Sequence, residues 1–129
     1  MAVSPDGTRV YVANTNGNSV TIVNTATNTV IGAPVPVGTQ SGVGVSPNGA
    51  CVYATYFNGN SVSVIDTAST TVVATIPVAV AEGVAFSPDG SRAYVTNHNN
   101  GTVSVVNTAT NLVVATIPVM PSPATQASG

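Results

Sequence analysis

The sequence predicts an all-β fold, and three observations carry the prediction. Ser4-Pro5-Asp6-Gly7, Ser46-Pro47-Asn48-Gly49 and Ser87-Pro88-Asp89-Gly90 recur with a period of about 40 residues, as solenoid and propeller units do. Asn24-Thr25-Ala26-Thr27, Asp66-Thr67-Ala68-Ser69 and Asn107-Thr108-Ala109-Thr110 keep that period, and Pro36, Pro77 and Pro118 close the three copies. Between these punctuation points lie short runs rich in Val, Ile, Thr and Tyr, which suit a pleated ladder. A unit of this size cannot cover both faces of its own sheet and must stack on its neighbours. The chain therefore reads as a partial β-propeller of three four-stranded antiparallel blades, over about 1–37, 38–78 and 79–119.

The third copy shows the elements best. Glu82 to Ser87 is its first strand, and Ser87-Pro88-Asp89-Gly90 turns the chain, since Pro presets φ and Gly tolerates φ above zero. Arg92 to Asn97 is the second strand. Asn99-Asn100-Gly101 is expected to close a tight hairpin, as Asn16-Gly17 and Asn58-Gly59 do earlier, because Asn-Gly supplies positive φ. Thr102 to Val106 is the third strand. Asn107-Thr108-Ala109-Thr110 then turns through a side-chain-to-backbone bond, which Asp66 can make equally well in the middle copy. Leu112 to Ile117 is the fourth strand, and Pro118 ends it because proline has no ladder donor. The last ten residues, 120–129, carry no periodicity and are expected to be disordered.

Apolar side chains fall on both faces of these strands, so each sheet wants cover on both sides. The first strands are rich in small residues, Gly42-Val43-Gly44-Val45 and Gly83-Val84-Ala85, as crowding near a propeller axis requires. Three blades are too few to close a ring, since propellers run from about four to eight. If each end face exposes roughly 300 Å² of apolar surface, covering both is worth on the order of 15 kcal/mol as an upper bound. Further propeller blades, or self-association of two copies into a six-bladed ring, are the expected partners.

Composition narrows the function. Of 129 residues only 5% are charged, the two basic residues are Arg9 and Arg92, and the net charge is -2, which leaves no basic surface for nucleic acid. No run is long and apolar enough for a membrane helix. The first residues fall inside a repeat, Val3-Ser4 matching Phe86-Ser87, and lack a secretory signal pattern, so a fragment is expected. Cys51 occupies the column held by Arg9 and Arg92 and reads as a drifted repeat position, not a reactive thiol.

Tyr94-Val95-Thr96-Asn97, set between Ser-Pro-Asp-Gly and Asn-Thr-Ala-Thr and followed by Ile117-Pro118-Val119, resembles the YVTN β-propeller repeat. The likeness covers about residues 1–119, with Tyr11-Val12-Ala13-Asn14 and Tyr53-Ala54-Thr55-Tyr56 as variants. It implies a ring of about seven blades and a place among archaeal surface-layer and bacterial exported proteins, hence an extracellular, cell-surface or periplasmic location.

Chemistry-bearing residues are few. Asp6, Asp66 and Asp89 sit in repeat turns, Glu82 is the one unrepeated carboxylate, and His98 is the sole imidazole. That leaves no metal motif, phosphate loop or nucleophile elbow, and neither a cofactor nor a catalytic group is expected. Asn100-Gly101-Thr102 matches a glycosylation sequon inside a hairpin that already requires Asn-Gly. Propeller ligands usually meet the rim formed by the second hairpin and the connections between blades. Departures from the repeat there, Tyr56, Phe57, Glu82 and His98, are the candidate binding residues. The expected role is a non-catalytic scaffold that binds a protein or glycan. The alternative is a segment of a propeller enzyme or electron-transfer subunit, lactonase-like or amine-dehydrogenase-like, whose reactive groups lie in other blades.

Overall fold

The computed structural model describes residues 1–14, 19–36, 40–56, 60–78, 81–97 and 101–119. Sheet one contains β1 (Ala2–Val3), β2 (Arg9–Asn14) and β3 (Ser19–Asn24), and its fourth strand is split into β4 (Thr29–Val30) and β5 (Val35–Pro36). Sheet two is β6 (Gln40–Val45), β7 (Cys51–Tyr56), β8 (Ser61–Asp66) and β9 (Thr71–Pro77). Sheet three is β10 (Ala81–Phe86), β11 (Arg92–Asn97), β12 (Thr102–Asn107) and β13 (Leu112–Pro118). Each is an antiparallel meander in chain order, so the predicted three-blade, all-β architecture is the observed one. No helix occurs among the described residues, and hence none able to cross a membrane.

Two local expectations change. Asn14 pairs with Ser19, Tyr56 with Ser61 and Asn97 with Thr102, so four residues join each central hairpin, one more than the expected Asn99-Asn100-Gly101 of the third copy. Among the described residues of these hairpins, Asn60 at φ 52° and Gly101 at φ 65° are left-handed. Asn16-Gly17, Asn58-Gly59 and Asn99-Asn100 lie outside the described residues. The ladders also run one residue further than expected, through Asn107 and Pro118. Sheet one's split has a sequence cause. One more residue separates Asn24 from Pro36 than separates the matching landmarks of the other copies, and the surplus is taken up around Gly32, at φ 63°.

The two turns at the other end of each sheet are stapled to one another. Ser4 donates its hydroxyl to Asp6 at 2.7 Å, and its Oγ accepts the Arg9 amide at 3.1 Å. Ser46 with Asn48, and Ser87 with Asp89, repeat this arrangement. The neighbouring turn uses an Asx bond, with the Ala26 and Ala109 amides donating to Asn24 and Asn107 at 2.9 Å. Thr25, Thr67 and Thr108 then donate to the carbonyls of Gly7, Gly49 and Gly90, at 2.7, 2.7 and 2.5 Å, locking one turn to the other.

Direct cross-strand partners share a face. Each sheet therefore carries rows of side chains on both sides. One row contains a tyrosine: Ala2, Tyr11 and Ile22 in sheet one, Gly44, Tyr53, Val64 and Ala74 in sheet two, and Ala85, Tyr94, Val105 and Ala115 in sheet three. The opposite row is aliphatic, as in Val45, Val52, Ile65 and Val72. The tyrosine row of each sheet meets the aliphatic row of the next, giving two seams. Tyr11, Val20 and Ile22 pack with Val52, Ala54 and Ile65 in the first. Tyr53, Val62 and Val64 pack with Ala93, Val95 and Val106 in the second. At the inner edge of the second seam the backbones nearly touch. A Cβ on Gly42 would lie 2.6 Å from the Glu82 carbonyl oxygen, which also accepts the Thr55 hydroxyl at 2.6 Å. The first strands are thus crowded here, as their small residues led one to expect.

Candidate functional site

Of the four candidate binding residues, Tyr56 and Glu82 belong to described strands, and their strand ends lie at one rim. Tyr56 ends β7, its backbone paired with Gln40 and Ser61. Glu82 lies at the irregularity in β10 between Ala81 and Val84, half-buried, with its carbonyl held by Thr55. Asn97, which precedes His98, pairs with Ala81 and Thr102 at the same end. Phe57, His98 and the Tyr56 side chain lie outside the described residues, so only Glu82 of the four has a defined environment. Beside this rim, Asn97 and Ser104 line a cleft of about 240 Å³, and the Ser104 hydroxyl donates to Asn97 at 2.9 Å. The sequence shows why this pair meets: Asn97 and Ser104 face the same way on adjacent strands. Asn14 uses the same columns in sheet one to donate to Ser19 and Thr21.

A larger cleft opens at the opposite end of the first seam. It holds about 410 Å³ and is lined by Ser4, Asp6, Arg9, Tyr11, Asn48 and Thr67, among others. Tyr11 is only 2% exposed, and its hydroxyl has no hydrogen-bond partner among the described residues. The second seam shows what is missing. There Tyr53 donates its hydroxyl to Asn111 at 2.7 Å and sets its ring edge-on to Phe86, with centroids 4.9 Å apart, and the cleft shrinks to about 130 Å³. Thr70 and Val45 hold the columns of Asn111 and Phe86 in sheet two, so neither the acceptor nor the ring is present in the first seam. This cleft escaped the sequence reading because its signal is a coincidence of two ordinary substitutions in different columns.

The three aspartates are committed to structure. Asp6 is drawn down to about 2 by the Ser4 hydroxyl first, then by the Thr8 amide and hydroxyl. Asp89 is likewise drawn down to about 2 by the Ser91 amide, then by the hydroxyls of Ser87 and Ser91. A carboxylate of that acidity is a poor proton acceptor at neutral pH. Asp66 accepts the Ala68 amide and the Ser69 hydroxyl. Burial pushes the Cys51 thiol up, with the neighbouring Asp66 adding to it, which is the wrong direction for a nucleophile. Burial, aided by Cys51, also raises the Tyr53 phenol to about 12. Among the described residues no three His, Cys, Asp or Glu gather as a metal site. The 410 Å³ cleft can therefore hold a ligand through neutral donors and acceptors, one guanidinium and one carboxylate.

No family model matches the chain, and no curated protein does. Solved structures do. A chain of Kuenenia stuttgartiensis hydrazine synthase superposes with a TM-score of 0.92 at 30% identity, over 97% of this chain and 36% of that one. The WD40 repeats of RRP9 give a TM-score of 0.81 at 19% identity, and U3-55K gives 0.82 at 18%, each over 93% of this chain and 38% of theirs. The chain thus spans little more than a third of the length of the structures it matches. At the lower two identities the likeness concerns fold alone. Three four-stranded blades of a β-propeller, not closed into a ring, are what sequence, structure and comparison agree upon.

Proposed function

We propose that the chain is a non-catalytic propeller module of the YVTN type, a scaffold at the cell exterior that binds a protein or glycan through its rims. One observation carries this reading: Asp6, Asp66 and Asp89 are all engaged as turn staples, while the 410 Å³ cleft offers fixed hydrogen-bonding groups. Such a lining suits a neutral, hydroxyl-rich ligand. The rim of Tyr56, Phe57, Glu82 and His98 is the second contact surface in this proposal. Further blades, or a second copy, cover the end faces. The experiment is a glycan and peptide array probed with the purified chain, with antibody labelling of intact cells that express the tagged protein. Array binding lost in Arg9→Ala, together with surface labelling, is the expected result. Bound redox cofactor or lactone hydrolysis would overturn it.

The hydrazine synthase likeness, at 30% identity, favours a second reading in which these blades belong to an enzyme or electron-transfer subunit. A visible absorbance spectrum of the full-length protein separates the two, since a bound chromophore supports the second.

A further inference from the structure

We propose that the 410 Å³ cleft of the first seam is a subsite for one neutral sugar unit, anchored by the Tyr11 hydroxyl, with a ligand oxygen standing where the second seam has Asn111. This rests on the module reading and gives its ligand a class and an anchor. Two independent observations carry it. Tyr11 lines the cleft and is 2% exposed, and its hydroxyl has no partner among the described residues, whereas Tyr53 in the same column donates to Asn111 at 2.7 Å. A buried hydroxyl left unpaired is costly, so something inside the cleft has to answer it. The second observation is where the repeat departs from local preference. Asn28 and Asn111 stand at φ 57° and 56°, a left-handed backbone that asparagine tolerates, but the middle copy puts Thr70 there at φ 54°. A β-branched residue is strained in that conformation. The chain thus carries strain at the one position whose usual residue would pair with Tyr11, and strain of this kind gathers at functional sites. Both walls of the cleft belong to sheets one and two, which face each other across it.

The groups left over around Tyr11 set the ligand class. Arg9 gives Nη1 to the Thr67 carbonyl at 3.3 Å, which leaves further guanidinium N–H groups. Asn48 accepts the Ser46 hydroxyl and the Ala50 amide on Oδ1, which leaves its amide donors. Asp6 accepts from Ser4 and Thr8 on Oδ1, which leaves Oδ2. The lining therefore offers three donating groups and one accepting oxygen. A pyranose answers that set, its oxygens accepting from Tyr11, Arg9 and Asn48 while one hydroxyl donates to Asp6. The two opposite charges make the choice of a neutral sugar. A uronate would face Asp6, which stays ionised at neutral pH because it is drawn down to about 2, and an amino sugar would face the Arg9 guanidinium. The second seam has no such site, since Cys51 holds the arginine column and Phe86 and Asn111 close around Tyr53.

The test is a calorimetric titration of the full-length protein with the methyl glycosides of glucose, galactose and mannose, each beside its uronate and amino-sugar counterparts. At least one neutral glycoside should bind, and more tightly than its charged counterparts. Tyr11→Phe should weaken that binding by roughly five-fold, the worth of one hydrogen bond. Thr70→Asn should weaken it by a similar factor while raising the urea midpoint, because asparagine then takes the Tyr11 hydroxyl. Thr70→Gly relieves the same strain without supplying an acceptor, and should keep wild-type affinity. The double variant Tyr11→Phe, Thr70→Asn should bind no more weakly than either alone, since both changes remove one shared bond. A variant that is more stable than the wild type yet binds less well has not misfolded. No heat with any neutral glycoside would mean that the cleft holds water only and would overturn the proposal, as would unchanged affinity in Tyr11→Phe or in Thr70→Asn. The module reading survives either result if array binding persists through the other rim. Conversely, a bound redox cofactor would overturn that reading and leave the sugar titration as it stands.

Discussion

The two seams use the same rows of side chains, yet one is closed and the other open. In the second, Tyr53 is held by Asn111 and flanked by Phe86, and the inner strands approach so closely that only glycine fits at position 42. In the first, Tyr11 is equally buried but its hydroxyl lacks an acceptor among the described residues, and a cleft of about 410 Å³ remains. The difference lies in Thr70 and Val45, neither of which touches the period of the repeat. A repeat chain can thus open a binding cleft at one seam while its register stays unchanged.

Closing the inner edge of the second seam to any side chain gives the largest expected effect. Gly42→Val should cost about 3 kcal/mol in urea unfolding, because the new Cβ meets a backbone carbonyl that cannot swing aside. A loss below about 1 kcal/mol would mean that the two inner strands separate freely. Thr70→Asn should act in the opposite direction on the first seam. Thr70 sits at φ 54°, where a β-branched residue is strained, and asparagine both relieves this and offers Tyr11 an acceptor. A gain of about 2 kcal/mol is expected. Thr70→Gly removes only the strain, so an equal gain from glycine would show that no bond to Tyr11 forms.

A smaller contrast isolates the hydroxyls. Tyr53→Phe should cost about 1 kcal/mol, and Tyr11→Phe less than about half of that, since only Tyr53 loses a bond. In the Thr70→Asn background the Tyr11→Phe cost should rise to match, a coupling readable from the double-mutant cycle. The smallest effect concerns acid. Asp6 and Asp89 are more acidic folded than unfolded, so their contribution is present above pH about 4 and is lost as pH falls toward about 2. Sheet two has Asn48 in the same turn and should not share this sensitivity. Replacing both aspartates with asparagine should flatten the melting temperature between those pH values; an unchanged slope would place the acid response elsewhere.

Much of this architecture was written in the recurring turns. Ser-Pro-Asp-Gly and Asn-Thr-Ala-Thr place the strand ends, and the tyrosine and aliphatic columns decide which face each strand shows its neighbour. The hairpin width was not legible, because Asn-Gly states that positive φ is needed without saying how many residues share the turn. The extra residue before Pro36 was visible in the spacing, but which strand would break depended on where Gly32 could adopt φ 63°. Of the candidate site, the placement of Glu82 and of the strand leading to His98 at one rim followed from topology. The larger cleft did not, since a void between sheets depends on what two different columns fail to fill.

The first and third sheets each begin their second strand with an arginine, and these two residues have a practical consequence. With no lysine in the chain, trypsin can cut only after Arg9 and Arg92, and both bonds lie inside paired ladders. Cleavage at either site thus requires that sheet to open, so the two digestion rates report the opening of the two ends of the stack separately.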